Sequence, residues 1–130
     1  MQQAKGLRSE LGRARGLGSA KEGVQHWWRQ RLTALALIPL SLWFVASLVF
    51  LTDTDHATAV HWLGSPITLG LMVIFIGAVF YHAVLGLQVV IEDYIGSHAV
   101  RLVVMVLTQF AALALGTAAI VSLLVIAFGG

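Results

Sequence analysis

The chemistry available to this sequence centres on His82, the histidine that lies inside a long uncharged stretch; His26, His56, His61 and His98 fall in more polar segments. An ionisable side chain among apolar residues is costly, so its presence there points to a task. An imidazole in that setting can ligate haem iron or take part in a proton relay. A third reading needs no cofactor: a neutral ring hydrogen-bonded to a neighbouring helix. Ala78 and Gly86 lie one helical turn either side of His82, roughly on its face at about 100° per residue. Two small residues leave a shallow recess beside the ring, which suits a porphyrin and suits a closely packed helix equally well.

Asp93 follows His82 by 11 residues. In a continuous helix that spacing returns to within about 20° of the same face, roughly 16 Å further along the axis. Tyr94 comes next. A phenol at a membrane boundary can donate a hydrogen bond to a carbonyl, and an adjacent carboxylate can orient it or supply protons. A quinone head group calls for such a donor there, with its isoprenoid tail in lipid. The alternative is that Glu92, Asp93 and Tyr94 only end a helix among headgroups. Arg29 and Arg31 precede the first apolar run and can pair with haem propionates or anchor the chain at the surface. Gln88 is placed for a hydrogen bond between helices. Asp53 and Asp55 are expected to be solvated loop acids. A haem with two axial ligands needs a second donor at the depth of His82. Met72 is too far along the same helix, and Met105 stands near the start of the third apolar run. A six-coordinate haem at His82 therefore requires a ligand from another polypeptide.

The elements that would position these residues are set by hydropathy. Of 130 residues, 58% are hydrophobic and only 11% charged, against roughly a quarter charged in soluble domains. Three uncharged runs, 32–51, 67–91 and 102–128, each reach the roughly 20 residues that a bilayer core requires. Backbone groups in lipid must be satisfied within the segment, which makes these runs helices. The fold class expected is an all-α membrane protein with three transmembrane helices. A basic segment, 1–31, leads into an anchor domain, 32–130. Pro39 should kink the first span, whereas Pro66 suits the first turn of the second. Ser19-x-x-Glu22 can cap a short helix ahead of the first span. The third span holds few polar groups beyond Thr108, Gln109, Thr117 and Ser122, and reads as packing material.

Seven of the eight Lys and Arg residues (Lys5, Arg8, Arg13, Arg15, Lys21, Arg29 and Arg31) precede the first span. That bias puts the N-terminus in the cytoplasm and the C-terminus outside, with Trp27, Trp28 and Trp62 as interfacial anchors. Because the basic tail abuts an apolar run, it reads as a topology signal and not as a nucleic-acid arm. Its lack of an early apolar core argues against a secretory signal peptide, and its Gly, Arg and Lys content up to about Gly18 points to a flexible lead-in. With no cysteine in the sequence, disulfides and cysteine-ligated iron–sulfur clusters are excluded within this chain.

The stretch His82-Ala83-Val84-Leu85-Gly86-Leu87-Gln88-Val89-Val90-Ile91-Glu92-Asp93-Tyr94 resembles the hydrophobic membrane anchor subunits of bacterial succinate dehydrogenase, respiratory complex II. The lead-in Gly23-Val24-Gln25-His26-Trp27-Trp28-Arg29-Gln30-Arg31-Leu32-Thr33-Ala34 is similar to the start of that family's first helix, and Arg101 also fits. The resemblance implies that His82 is one axial ligand of haem b, the other being a histidine of a companion cytochrome b anchor subunit. It implies that Tyr94 hydrogen-bonds ubiquinone with Asp93 beside it, and that Arg31 lies near the haem propionates or the quinone pocket. Either Gln25 or His26 could approach a propionate. A flavoprotein and an iron–sulfur subunit would dock on the cytoplasmic face of the bacterial inner membrane and oxidise succinate, which this chain lacks the domain to do. The rival expectations are a small structural or transport membrane protein, with His82 as interhelical glue, and the anchor of a related fumarate reductase.

Overall fold

The structure is a computed structural model that describes residues 18–129, with side chains from Glu22 onward. Lys5, Arg8, Arg13, Arg15 and the expected flexible lead-in lie outside the described residues, as does the side chain of Ser19. Four helices are present among the described residues: α1 (Gly18–Leu51), α2 (His56–Leu63), α3 (Pro66–Tyr94) and α4 (His98–Phe128). Three of them, α1, α3 and α4, are long and apolar enough to cross a membrane, as the hydropathy pattern predicts. At about 1.5 Å per residue each exceeds a hydrocarbon core of roughly 30 Å. The extra turns lie mainly at the expected inner ends. α1 is already helical at Gly18, so Ser19 is not an N-cap, and the helix runs on unbroken through Pro39 to Leu51.

α3 is the central helix and packs against α1 on one side and α4 on the other. Its start is built as the sequence predicts. Pro66 occupies the first turn, and the Ser65 hydroxyl receives the Thr68 amide at 3.4 Å while donating to Thr68 Oγ1 at 2.7 Å. Phe44 of α1 meets Phe75 of α3 with ring centroids 4.9 Å apart. On the other side, a Cβ added at Gly116 of α4 would lie 3.4 Å from the Phe80 ring, so the glycine lets that ring approach the α4 backbone closely.

Among the described residues only Leu85, Ile91, Leu123 and Thr68 are buried, while large apolar side chains such as Leu42 (68%), Phe110 (66%) and Phe128 (74%) are exposed. In water such a surface would collapse or aggregate; in lipid, or against another apolar chain, it is the expected exterior.

The short helix α2 is a feature that hydropathy did not reveal. Trp62 on α2 stacks on Trp43 of α1 at 6.0 Å between centroids, so it clips the loop to the first span as well as standing near the boundary. Asp55 is not merely solvated. It is the N-cap of α2 and accepts the Thr58 amide at 2.9 Å. Hydrogen bonding from Thr58, side chain first and backbone second, holds the Asp55 carboxyl below its ordinary pKa. A carboxyl depressed in the fold contributes stability above its unfolded pKa and loses it as pH falls through the folded value. Protection of the Thr58 amide from hydrogen exchange is therefore expected to drop in Asp55→Ala at neutral pH. In the native chain it should drop only in acid below the usual carboxylate range. Equal protection in the two chains at neutral pH would show that the cap contributes nothing.

Candidate functional site

His82 sits in the middle third of α3, half-buried against α1. Its Nδ1 lies 2.9 Å from the Thr33 hydroxyl oxygen of α1. That oxygen in turn stands 2.8 Å from the Arg29 carbonyl and 3.0 Å from the Gln30 carbonyl, one turn back on its own helix. Nε2 of the ring makes no hydrogen bond with the described residues. His82 also lines an open groove of about 500 Å³ along α1, with Ala34, Leu37, Ile38, Ser41 and Val45. These positions recur every three or four residues and so form one stripe of α1.

The contact also sets how the two helices are registered. His82 is level with Thr33, two positions above Arg31 on α1, although it stands ten positions above Glu92 on α3. At about 1.5 Å per residue these offsets are roughly 3 Å and 15 Å. The polar residues at the foot of α1 therefore stand beside an apolar part of α3.

Below Thr33 the same face of α1 carries Gln30 and His26. The recess expected beside His82 at Gly86 is taken up on this side by Gln30, whose Nε2 would lie 3.7 Å from a Cβ placed on Gly86. Gln30 Oε1 and His26 Nε2 are buried and have no hydrogen-bond partner among the described residues. A buried polar atom without a partner costs on the order of 1–3 kcal/mol, so the pair marks a place where an external polar group is wanted. Thr33 and Gln30 are residues that sequence reasoning did not single out. The signal was available in the polar spacing 26, 30, 33 at the mouth of an otherwise apolar helix.

Arg31 is not brought to His82 by this chain. Two positions from Thr33 correspond to about 200° around the helix, and its guanidinium lies 5.1 Å from the Trp27 ring centroid as a cation–π pair. Asp93 and Tyr94 close α3, both exposed, with Tyr94 85% accessible. Neither makes a hydrogen bond to the described residues, so their polar groups are free for a molecule outside the chain. Gln88 bonds along its own helix to Glu92 Oε1 at 2.9 Å, not between helices. The turn after Tyr94 is held by Arg101 of α4, whose Nε and Nη2 donate to the Ile95 carbonyl at 3.0 and 2.8 Å.

No group of three or more His, Cys, Asp or Glu side chains gathers to hold a metal ion among the described residues. One imidazole that lines an open groove, with no further ligand-type side chains gathered beside it, fits a macrocyclic metal centre, which would need only a single donor from this chain. The fold thus defines a membrane protein with three apolar helices long enough to span a bilayer and one half-buried imidazole between two of them.

The chain belongs to the succinate dehydrogenase/fumarate reductase transmembrane subunit family, whose model matches residues 5–127. It is 40% identical over 95 residues to a succinate dehydrogenase hydrophobic membrane anchor subunit of Rickettsia bellii, covering 73% of this chain and 76% of that protein. A second such subunit, from Rickettsia conorii, is 34% identical over 104 residues, covering 79% and 82%. A succinate dehydrogenase membrane anchor subunit of Reclinomonas americana is 30% identical over 86 residues, covering 64% and 72%.

Proposed function

We propose that the chain is the hydrophobic membrane anchor subunit of a succinate:quinone oxidoreductase in a bacterial inner membrane, supplying one axial ligand to haem b and part of a ubiquinone site. The observation that carries this reading is the state of His82: one ring nitrogen is tied to Thr33, the other bonds to none of the described residues, and the residue lines an open groove. Interhelical glue would be satisfied by the first bond alone; it leaves the open groove at the ring without a purpose. Two anchor-subunit relatives are succinate dehydrogenase components by name, which favours succinate oxidation over fumarate reduction.

In this reading His82, through Nε2, would hold the haem together with a histidine of a companion cytochrome b subunit. The orphaned His26 and Gln30 atoms offer hydrogen bonds to polar edges of a group seated in that region. Bound there, haem b supplies a one-electron redox centre within the membrane. The remaining chemistry belongs to the far end of α3. Reduction of a quinone takes two electrons, delivered by the iron–sulfur subunit, and two protons. The Tyr94 phenol donates a hydrogen bond to a quinone carbonyl, and the Asp93 carboxyl passes protons from the aqueous side. Arg31, about 3 Å below the level of His82 on α1, adds positive charge above the Asp93–Tyr94 boundary, on the side of the haem propionates. With the basic end of α1 in the cytoplasm, that boundary faces the flavoprotein and iron–sulfur subunits, and the C-terminus lies outside.

Purification of the native assembly in mild detergent tests this reading. A reduced-minus-oxidised b-type spectrum together with a co-purifying flavoprotein and iron–sulfur protein is expected. A colourless chain that purifies without them would instead favour the packing role for His82.

A further inference from the structure

We propose that Thr33 is the positioning residue of His82: its hydroxyl accepts a hydrogen bond from Nδ1–H, fixes the imidazole as the tautomer with a bare Nε2, and strengthens that nitrogen as a ligand. The inference rests on the haem-ligand reading above. Its carrier is the three-way geometry at Thr33 Oγ1, with the Arg29 carbonyl at 2.8 Å, the Gln30 carbonyl at 3.0 Å and His82 Nδ1 at 2.9 Å.

A threonine hydroxyl holds one proton and two lone pairs, and a carbonyl oxygen can only accept. Both carbonyls therefore compete for the single hydroxyl proton, and a helical threonine habitually gives it to the carbonyl one turn back. The face of the oxygen toward α3 is left as an acceptor, so the ring nitrogen opposite must carry the hydrogen. A neutral imidazole has one N–H. Placing it at Nδ1 leaves Nε2 with its lone pair exposed, the state a metal requires. The chain of donors runs from ring to hydroxyl to helix carbonyl, and each bond polarises the next. A partner on the second nitrogen also orients a ligating imidazole and raises its basicity.

The bond ties this effect to the packing of α1 on α3, because Thr33 and His82 are 49 positions apart in the chain. A shift of either helix along the other by one residue, about 1.5 Å, would break it.

The test compares Thr33→Val, which keeps the shape and removes the hydroxyl, with Thr33→Ser, which keeps the hydroxyl, in the assembled complex. Three readouts apply: the low-spin electron paramagnetic resonance signal, the midpoint potential, and the rate of haem loss to an apoprotein scavenger. Loss of such an outer partner commonly weakens metal binding by about 10- to 100-fold. Haem loss from the Val variant is expected to quicken by about tenfold or more. A stronger donor favours the oxidised iron, so the potential should rise; a tenfold selective loss corresponds to about 59 mV for one electron. The Ser variant should restore the native values. An assembled Val variant with native signal, potential and haem retention overturns the inference, and so does a Ser variant as altered as the Val one. If the unaltered complex carries no haem at all, the function proposed above fails first.

Discussion

Replacing His82 with leucine should strip the assembled complex of its native low-spin b-type spectrum while leaving all three spans inserted. The two halves of that result have separate physical causes. Insertion depends on apolar content, and leucine at a helix centre is favourable by roughly 0.3–0.6 kcal/mol on the insertion scale. The lost contact with Thr33 is one interhelical hydrogen bond, worth about 0.6 kcal/mol on average in membrane proteins. Neither change threatens a helix as long and apolar as α3. The proposed metal centre has no such reserve, because among the described residues no group of three or more His, Cys, Asp or Glu side chains gathers to hold a metal without it. Immunodetection of the anchor in membranes, with difference spectra of the purified complex, reads both halves. An unchanged low-spin signal in the variant would remove His82 from the iron.

Substituting Tyr94 with phenylalanine should have the opposite profile, with the spectrum intact and quinone reduction impaired. The phenol is 85% exposed and bonds to none of the described residues, so its removal leaves α3 undisturbed. On the proposed reading, what would be lost is one hydrogen bond to the quinone carbonyl. A bond of this kind that matters most as charge develops is worth on the order of 1–3 kcal/mol, or about 5- to 150-fold in rate. Succinate oxidation by a water-soluble dye should proceed at the native rate, since it does not use the membrane boundary. Native turnover with quinone in the Phe variant would retire the phenol from the site.

The spans were legible because a bilayer imposes a length and a composition that no packing detail can alter. Pro66 at the first turn of α3 and the break after Tyr94 could likewise be read directly. Three things could not. The helix α2 is too short and too near the boundary to announce itself by hydropathy, although Asp55 three residues before Thr58 is a capping signal in hindsight. The direction of Gln88 depends on whether its neighbour on the same helix or on the next one is nearer, and Glu92 won. Most consequential is the register of α1 against α3. Composition places Thr33 just inside the first span and His82 well inside the second, and nothing in either run says that the two meet. For the same reason Gln30 and Thr33 passed as lead-in residues, when they face Gly86 and His82, and nothing in the sequence chose between Gln25 and His26.

The scarcity of buried residues within the chain has a thermodynamic corollary. Whatever binds the folded form and not the separated helices adds RT ln(1 + [L]/Kd) to the folding free energy. A hundredfold excess over Kd is worth about 2.7 kcal/mol, more than several interhelical bonds together. A melting temperature measured on this polypeptide should accordingly rise with the concentration of any partner that binds the folded form through the apolar flanks of α1 and α4.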